Sequence, residues 1–221
     1  MDDLRLTEMM GFCQRLQMGR KADVDKIVNA VEKSERLTSA EFVVALEPNS
    51  GSYHDIDLFF AVSLNFIVML FAFFGPIVVS QDWVPLNLII LFALAWVFSA
   101  YTPFIRRIFC SNKRLERQVK EQAQLQFLNQ GVTQTRGRTG VMVLVSQLEA
   151  RVAVVADSGV MRVVGDDKWE RLMREIQDGF DGRDLSETAV QAVEKLGEFL
   201  AEPLPVAKDD IDELSNVPSL H

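Results

Sequence analysis

The chain has 221 residues, of which 48% are hydrophobic, and a formal net charge of −8. That charge excludes a general nucleic-acid binder, because polyanion binding needs clustered surplus cations. Two cysteines and two histidines leave no Cys/His spacing for a structural metal, and nothing prompts Cys13 and Cys110 to pair.

Residues 1–20 carry scattered apolar positions (Leu4, Leu6, Met9, Met10, Phe12, Leu16) and read as an amphipathic or flexible segment. Asp23 to Leu37 repeats Val24, Ile27, Val28 and Val31 at helical spacing. Glu41 to Leu46 is a strand, stopped by Pro48-Asn49-Ser50-Gly51.

Two apolar runs follow, Leu58 to Ser80 and Trp83 to Tyr101, neither holding a Lys, Arg, Asp or Glu. A bilayer core of about 30 Å takes about 20 helical residues, and both runs meet that length. Each therefore reads as a spanning helix, since in lipid only helices and closed barrels satisfy their own backbone. The link, Gln81-Asp82, is short enough to make residues 58–101 a hairpin. Trp83, Trp96 and Tyr101 suit the interfaces. Ser63, Asn65, Asn87 and Ser99 suit helix–helix hydrogen bonds. No n-region or cleavage pattern precedes the first run, so it is not read as a signal peptide.

Arg106, Arg107, Lys113, Arg114, Arg117 and Lys120 follow the second run, and the link carries no cation. Cytoplasmic flanks collect Lys and Arg, so both soluble parts are expected on the cytoplasmic side, at a bacterial inner membrane. The same cations suit anionic lipid headgroups.

After the hairpin, Lys113 to Asn129 is a helix with Leu115, Val119, Ala123 and Phe127 on one face, ended by Gly131. Val141 to Val145 is continuously apolar, as a strand buried on both faces is. Arg151 to Ala156 is the returning strand. Asp166 to Gln177 is a helix with Gly179 as its cap. Asp184 and Glu187 form a capping box before a helix carrying Val190, Val193, Leu196 and Leu200. The Pro-punctuated, acidic residues 202–221 read as a disordered tail.

Neither half holds enough strands to bury a sheet. The expected fold is thus a single α/β sandwich domain assembled from two segments, 21–57 and 102–201. The hairpin is inserted between them, and the Glu41 strand pairs with the Val141 strand.

Thr38-Ser39-Ala40-Glu41-Phe42-Val43-Val44 resembles the first strand of the TPM domain family. Arg138-Thr139-Gly140-Val141-Met142-Val143-Leu144-Val145-Ser146 resembles its central strand, Arg151 to Gly159 its next strand and turn, and Trp169 its helix tryptophan. Ala40 stands where the family has Gly, and Asp157-Ser158-Gly159-Val160 replaces a Gly-aromatic-Gly turn. The family includes a thylakoid protein described as an acid phosphatase, a receptor accessory protein and many bacterial membrane proteins. Some members bind calcium near the strand ends. The resemblance implies the fold, and either an accessory role or phosphatase activity.

Glu41, Asp157, Asp166 and Asp167 are the candidate metal ligands, for Ca2+, which takes six to eight oxygens. The plainer alternative is that Asp157 holds a turn and Asp166 caps its helix. The loop Gly131 to Gly140, with Arg136 and Arg138, departs from a phosphate loop in spacing and precedes a strand. A solvated turn is its default, with phosphate or headgroup binding as the alternative. Asp55-Ile56-Asp57 mimics an aspartyl-phosphatase pair but sits at the mouth of a span, where carboxylates favour a helix N-terminus. His54 has no nucleophile partner.

No catalytic constellation is legible. The expected function is a membrane-anchored binding or accessory module for another membrane protein, with a divalent cation as a candidate component. The alternative is a metal-dependent phosphatase acting on phosphate monoesters.

Overall fold

A computed structural model of the chain describes residues 23–74, 83–180, 184–206, 214 and 216–220. The N-terminal segment 1–20 and the Gln81-Asp82 link lie outside the described residues. The chain divides into two compact units, one formed by residues up to Ser50 and from Gln118 onward, the other by Gly51–Arg117.

The first unit is built on a four-stranded sheet. Strand β1 is Glu41–Glu47, β2 is Gly140–Ser146, β3 is Arg151–Ala156 and β4 is Ser219–Leu220. Their order is β3-β2-β1-β4. β1 and β2 run parallel in the register Glu41↔Gly140 to Glu47↔Ser146, the pairing expected from the sequence. β2 and β3 are antiparallel, Val141 opposite Ala156. Residues 41 and 140 are far apart in sequence, so the sheet exists only when both segments meet.

Every residue of β1 and β2 is buried, because helices cover both faces. The chain is helical over residues 23–35 (α1), and α7 is Asp166–Asp178 and α8 Leu185–Leu200. Phe42 and Val44 of β1 and Val141, Val143 and Val145 of β2 form one core with Ile27, Val31, Trp169, Leu172, Val193 and Leu196. The alternate residues Val43, Ala45, Met142 and Leu144 form a second core with Val119, Ala123 and Phe127 of α5, Asn112–Asn129. Each buried Val, Leu, Ile, Phe or Met among them contributes roughly 1.5–3 kcal/mol.

The ends of the elements follow their sequence signals. The Asp184 carboxylate accepts from Ser186 N at 2.9 Å and Glu187 N at 3.1 Å, capping α8. Gly179 caps α7, with φ −76°. The sequence reading held no helix between β3 and α7, yet Ser158–Val164 forms α6, ended by Gly165 at φ +78°. Thr38 Oγ1 donates to Leu204 O at 2.7 Å, tying the start of β1 to the chain beyond α8. The expected disordered tail 202–221 contributes β4, which pairs Ser219 with Ala45 and Leu220 with Leu46.

The second unit holds α2, His54–Phe74, α3, Val84–Tyr101, and the short α4, Pro103–Phe109. α2 and α3 are long and apolar enough to cross a membrane. α2 starts one turn earlier than its apolar run, with Asp55 and Asp57 in its first turn. The divide between units falls at Ser50 and Gln118, outside the expected 57 and 102. Residues 53–57 and 106–114 bond to each other within the hairpin unit.

Candidate functional site

In the α/β unit, the end of β3 leads into the Asp157-Ser158-Gly159 turn. Asp157 is buried and caps α6, its Oδ1 accepting from Ser158 N at 2.6 Å. Its Oδ2 lies 3.5 Å from Arg138 Nη1, on the loop before β2. Gly159 N donates to Arg138 O at 2.9 Å. A Cβ on Gly159 would sit 2.4 Å from Gly137 O, so only glycine lets the two loops close. Arg138 takes φ 55°, a left-handed backbone uncommon for a side-chain-bearing residue. Arg138 is therefore held by the turn that its guanidinium also touches. A 3-10 turn, Val132–Gln134, and then β2 follow α5 here, and the helix N-terminus that meets this loop, that of α6, is already capped by the Asp157 carboxylate and bonded to the Arg138 carbonyl.

Glu41 opens β1 and lines a cleft of ≈ 350 Å³ with Glu32, Glu35, Arg36 and Asn216. Asp166 and Asp167 are exposed in the first turn of α7. The four residues nominated as ligands thus stand on β1, at the α6 cap and at the start of α7. Among the described residues, no group of three or more His, Cys, Asp or Glu is placed to hold a metal ion.

Two buried carboxylates escaped the sequence reading. Glu47, at the end of β1, accepts from Gln122 Nε2 at 2.9 Å and Gln126 Nε2 at 3.0 Å. Glu149, in the β2–β3 turn, accepts from Ser146 Oγ and from Ser50 N, the latter at 3.0 Å. Their signal was an acidic residue flanking a wholly apolar strand, where burial obliges partners.

In the hairpin unit, Asp57 is fully buried. Arg106 Nε donates to its Oδ1 at 3.0 Å and Nη2 to its Oδ2 at 2.6 Å. Ser99 Oγ of α3 donates to Oδ1 at 2.8 Å. Asp55 is held by a second fork, Arg114 Nη1 to Oδ2 at 2.5 Å and Nη2 to Oδ1 at 2.9 Å. The Arg114 guanidinium also lies 5.8 Å from the Tyr53 ring centroid. Hydrogen bonding to Asp57 raises the Arg106 pKa above its ordinary value, and Asp55 does the same for Arg114. The Asp55-Ile56-Asp57 pair is thus the acceptor half of two bidentate arginine clamps. Ser99 makes the inter-helix bond expected of it. Asn65 instead donates back along its own helix to Ala61 O at 3.1 Å.

No curated protein matches this chain. An NMR structure, that of the BA42 protein from the psychrophilic bacterium Bizionia argentinensis, is similar in fold. Its TM-score is 0.55 and its identity 22%, over 90% of this chain and 93% of that one. The family model of the TPM domain matches residues 108–199. The matched stretch holds β2, β3 and α6 to α8, and β1 joins it in register from the other side of the hairpin. The resemblance read from the strand motifs is thereby met over residues 108–199, which match the TPM domain model.

Proposed function

We propose that this chain is an integral membrane protein whose α2–α3 hairpin anchors a TPM-type α/β unit, and that the unit is a binding or accessory module for another membrane protein. The observation that carries the reading is the apolar surface of both helices. Phe66, Ile67, Phe71, Phe73 and Phe74 on α2, and Ile89, Leu94, Val97 and Phe98 on α3, are all more than half exposed. In water such a surface costs about 25 cal/mol per Å², and a bilayer removes that cost. Arg107, Lys113, Arg117 and Lys120 after α3 favour both soluble segments on the cytoplasmic side of a bacterial inner membrane.

In the α/β unit, one of the carboxylates nominated for chemistry, Asp157, takes part in holding the fold. Asp157 is spent on a helix cap and on Arg138, which favours docking over hydrolysis. A photo-crosslinker at the exposed Lys168 or Arg171 of α7, in the chain's own membrane, tests this. A discrete partner band is expected. Phosphate-monoester hydrolysis by the purified chain, lost in Asp157→Asn, would favour the phosphatase reading instead.

Glu41, Asp157, Asp166 and Asp167 are spread over β1, the α6 cap and α7, so calcium enters no step of this proposal. Its own test is the melting temperature of the purified chain. A rise in millimolar calcium that Asp157→Asn removes would bring the ion into the account, since a ligand bound to the folded state alone stabilises it by mass action.

A further inference from the structure

Where α3 ends, the backbone is extended at Thr102 (φ −113°, ψ 92°) before α4 begins. α4 is amphipathic in an unusual sense. Ile105 is buried, while Phe104 and Ile108 are 68% and 60% exposed. Arg107 lies between them, also exposed. These three share one face, at i, i+3 and i+4. Phe109, half exposed, meets the rings of Phe59 and Phe60 on α2 edge-on at 6.1 Å each. The exposed apolar face of α4 therefore continues the apolar surface of α2 at the charged end of the hairpin.

The cations here divide into two sets. Arg106 and Arg114 are consumed by Asp57 and Asp55. Arg107 and Lys113 are exposed and, among the described residues, form no ion pair. An apolar patch beside uncommitted cations, continuous with two membrane-length helices, fits a surface that is both greasy and anionic. We propose that α4 lies in the membrane surface, with Phe104 and Ile108 in the acyl boundary and Arg107 and Lys113 on the phosphates of anionic lipid headgroups. Short interfacial helices bind by this combination of buried apolar area and charge. The inference rests on the membrane reading above and adds a third, non-spanning contact with selectivity for lipid charge.

The test uses the full chain with Cys13→Ser and Cys110→Ser, reconstituted in vesicles of phosphatidylcholine with phosphatidylglycerol. Nitroxides are placed singly at Phe66→Cys, Ile108→Cys and Arg171→Cys. Exposure to oxygen and to a water-soluble nickel chelate gives the depth of each. The expected order is 66 deepest, 108 at the interface and 171 in water. If 66 is shielded and 108 is as open to the chelate as 171, the α4 proposal is overturned and the spanning reading stands. If 66 is open as well, the spanning reading itself fails.

The headgroup half is read from lipid carried through purification from the mixed vesicles. Enrichment of phosphatidylglycerol over phosphatidylcholine is expected. In Arg107→Gln/Lys113→Gln that preference should fall roughly fivefold for each charge removed. Equal enrichment in the native chain and the double variant would overturn the headgroup contact.

Discussion

Asp55 and Asp57 sit two residues apart, carry the same charge and accept the same bidentate arginine fork, yet their environments differ. The Asp57 side chain is 0% exposed and that of Arg106 15%, whereas the Asp55 side chain is 60% exposed. Breaking a buried pair by removing one partner leaves an uncompensated charge and costs about 3–5 kcal/mol. An exposed pair is screened by water and salt and contributes about 0–1 kcal/mol. Asp57→Ala should therefore lower the thermal stability of the detergent-solubilised chain sharply, and Asp55→Ala barely. Equal losses in the two variants would contradict the assignment of Asp57 as the clamp. The sequence showed that carboxylates stood at a helix mouth beneath a basic cluster. It did not show which cation met which carboxylate, because Arg106 and Arg114 lie 49 and 59 residues from their partners and only the α2–α3 hairpin brings them back. Reading the whole cluster as lipid-facing missed that Arg106 and Arg114 have protein partners.

At the scale of elements, periodicity located the helices and strands of the α/β unit well, since their burial follows their spacing. Val119, Ala123 and Phe127 fall on one face because the helix repeat puts them there, and Val141 to Val145 are buried throughout because helices cover both sheet faces. What periodicity missed were contacts decided by partners distant in sequence. α6 is seven residues long, too short for a periodic signal, and β4 exists only as two residues against β1. Gly197 is of the same kind. A glycine inside α8 looks like a weakness, since alanine is better in a helix by about 1 kcal/mol. Here a Cβ would lie 2.6 Å from Ser34 Cβ and 3.0 Å from Ser34 Cα, so the glycine lets α1 and α8 approach closely. Gly197→Ala should destabilise, by roughly 1–3 kcal/mol from overpacking. The exchange Ser34→Gly/Gly197→Ala should recover part of the loss by moving the small residue to the other helix. A more stable Gly197→Ala chain, followed by thermal melting, would show that the contact is looser than described.

For the whole molecule, the TPM match begins at residue 108, but the sheet it needs takes β1 from before the hairpin. The α/β unit should therefore be a single cooperative body whose two segments need each other. Joining Ser50 to Gln118 through a Gly/Ser linker of about 10 residues gives a flexible span of roughly 16–19 Å. That chain is expected to be soluble and to melt in one transition, whereas residues 118–221 alone should not fold. Two separate transitions in the joined chain would contradict a unit assembled from both segments.

The membrane reading organises everything else, and sidedness tests it most directly. In a Cys13→Ser/Cys110→Ser background, single cysteines at Gln81 and at Arg171 are exposed to an impermeant thiol reagent in intact cells and after permeabilisation. Gln81→Cys is expected to react in intact cells and Arg171→Cys only after permeabilisation, as a spanning hairpin with the α/β unit on the cytoplasmic side requires. Reaction of both positions in intact cells, or protection of both until permeabilisation, would contradict a spanning hairpin with a cytoplasmic α/β unit.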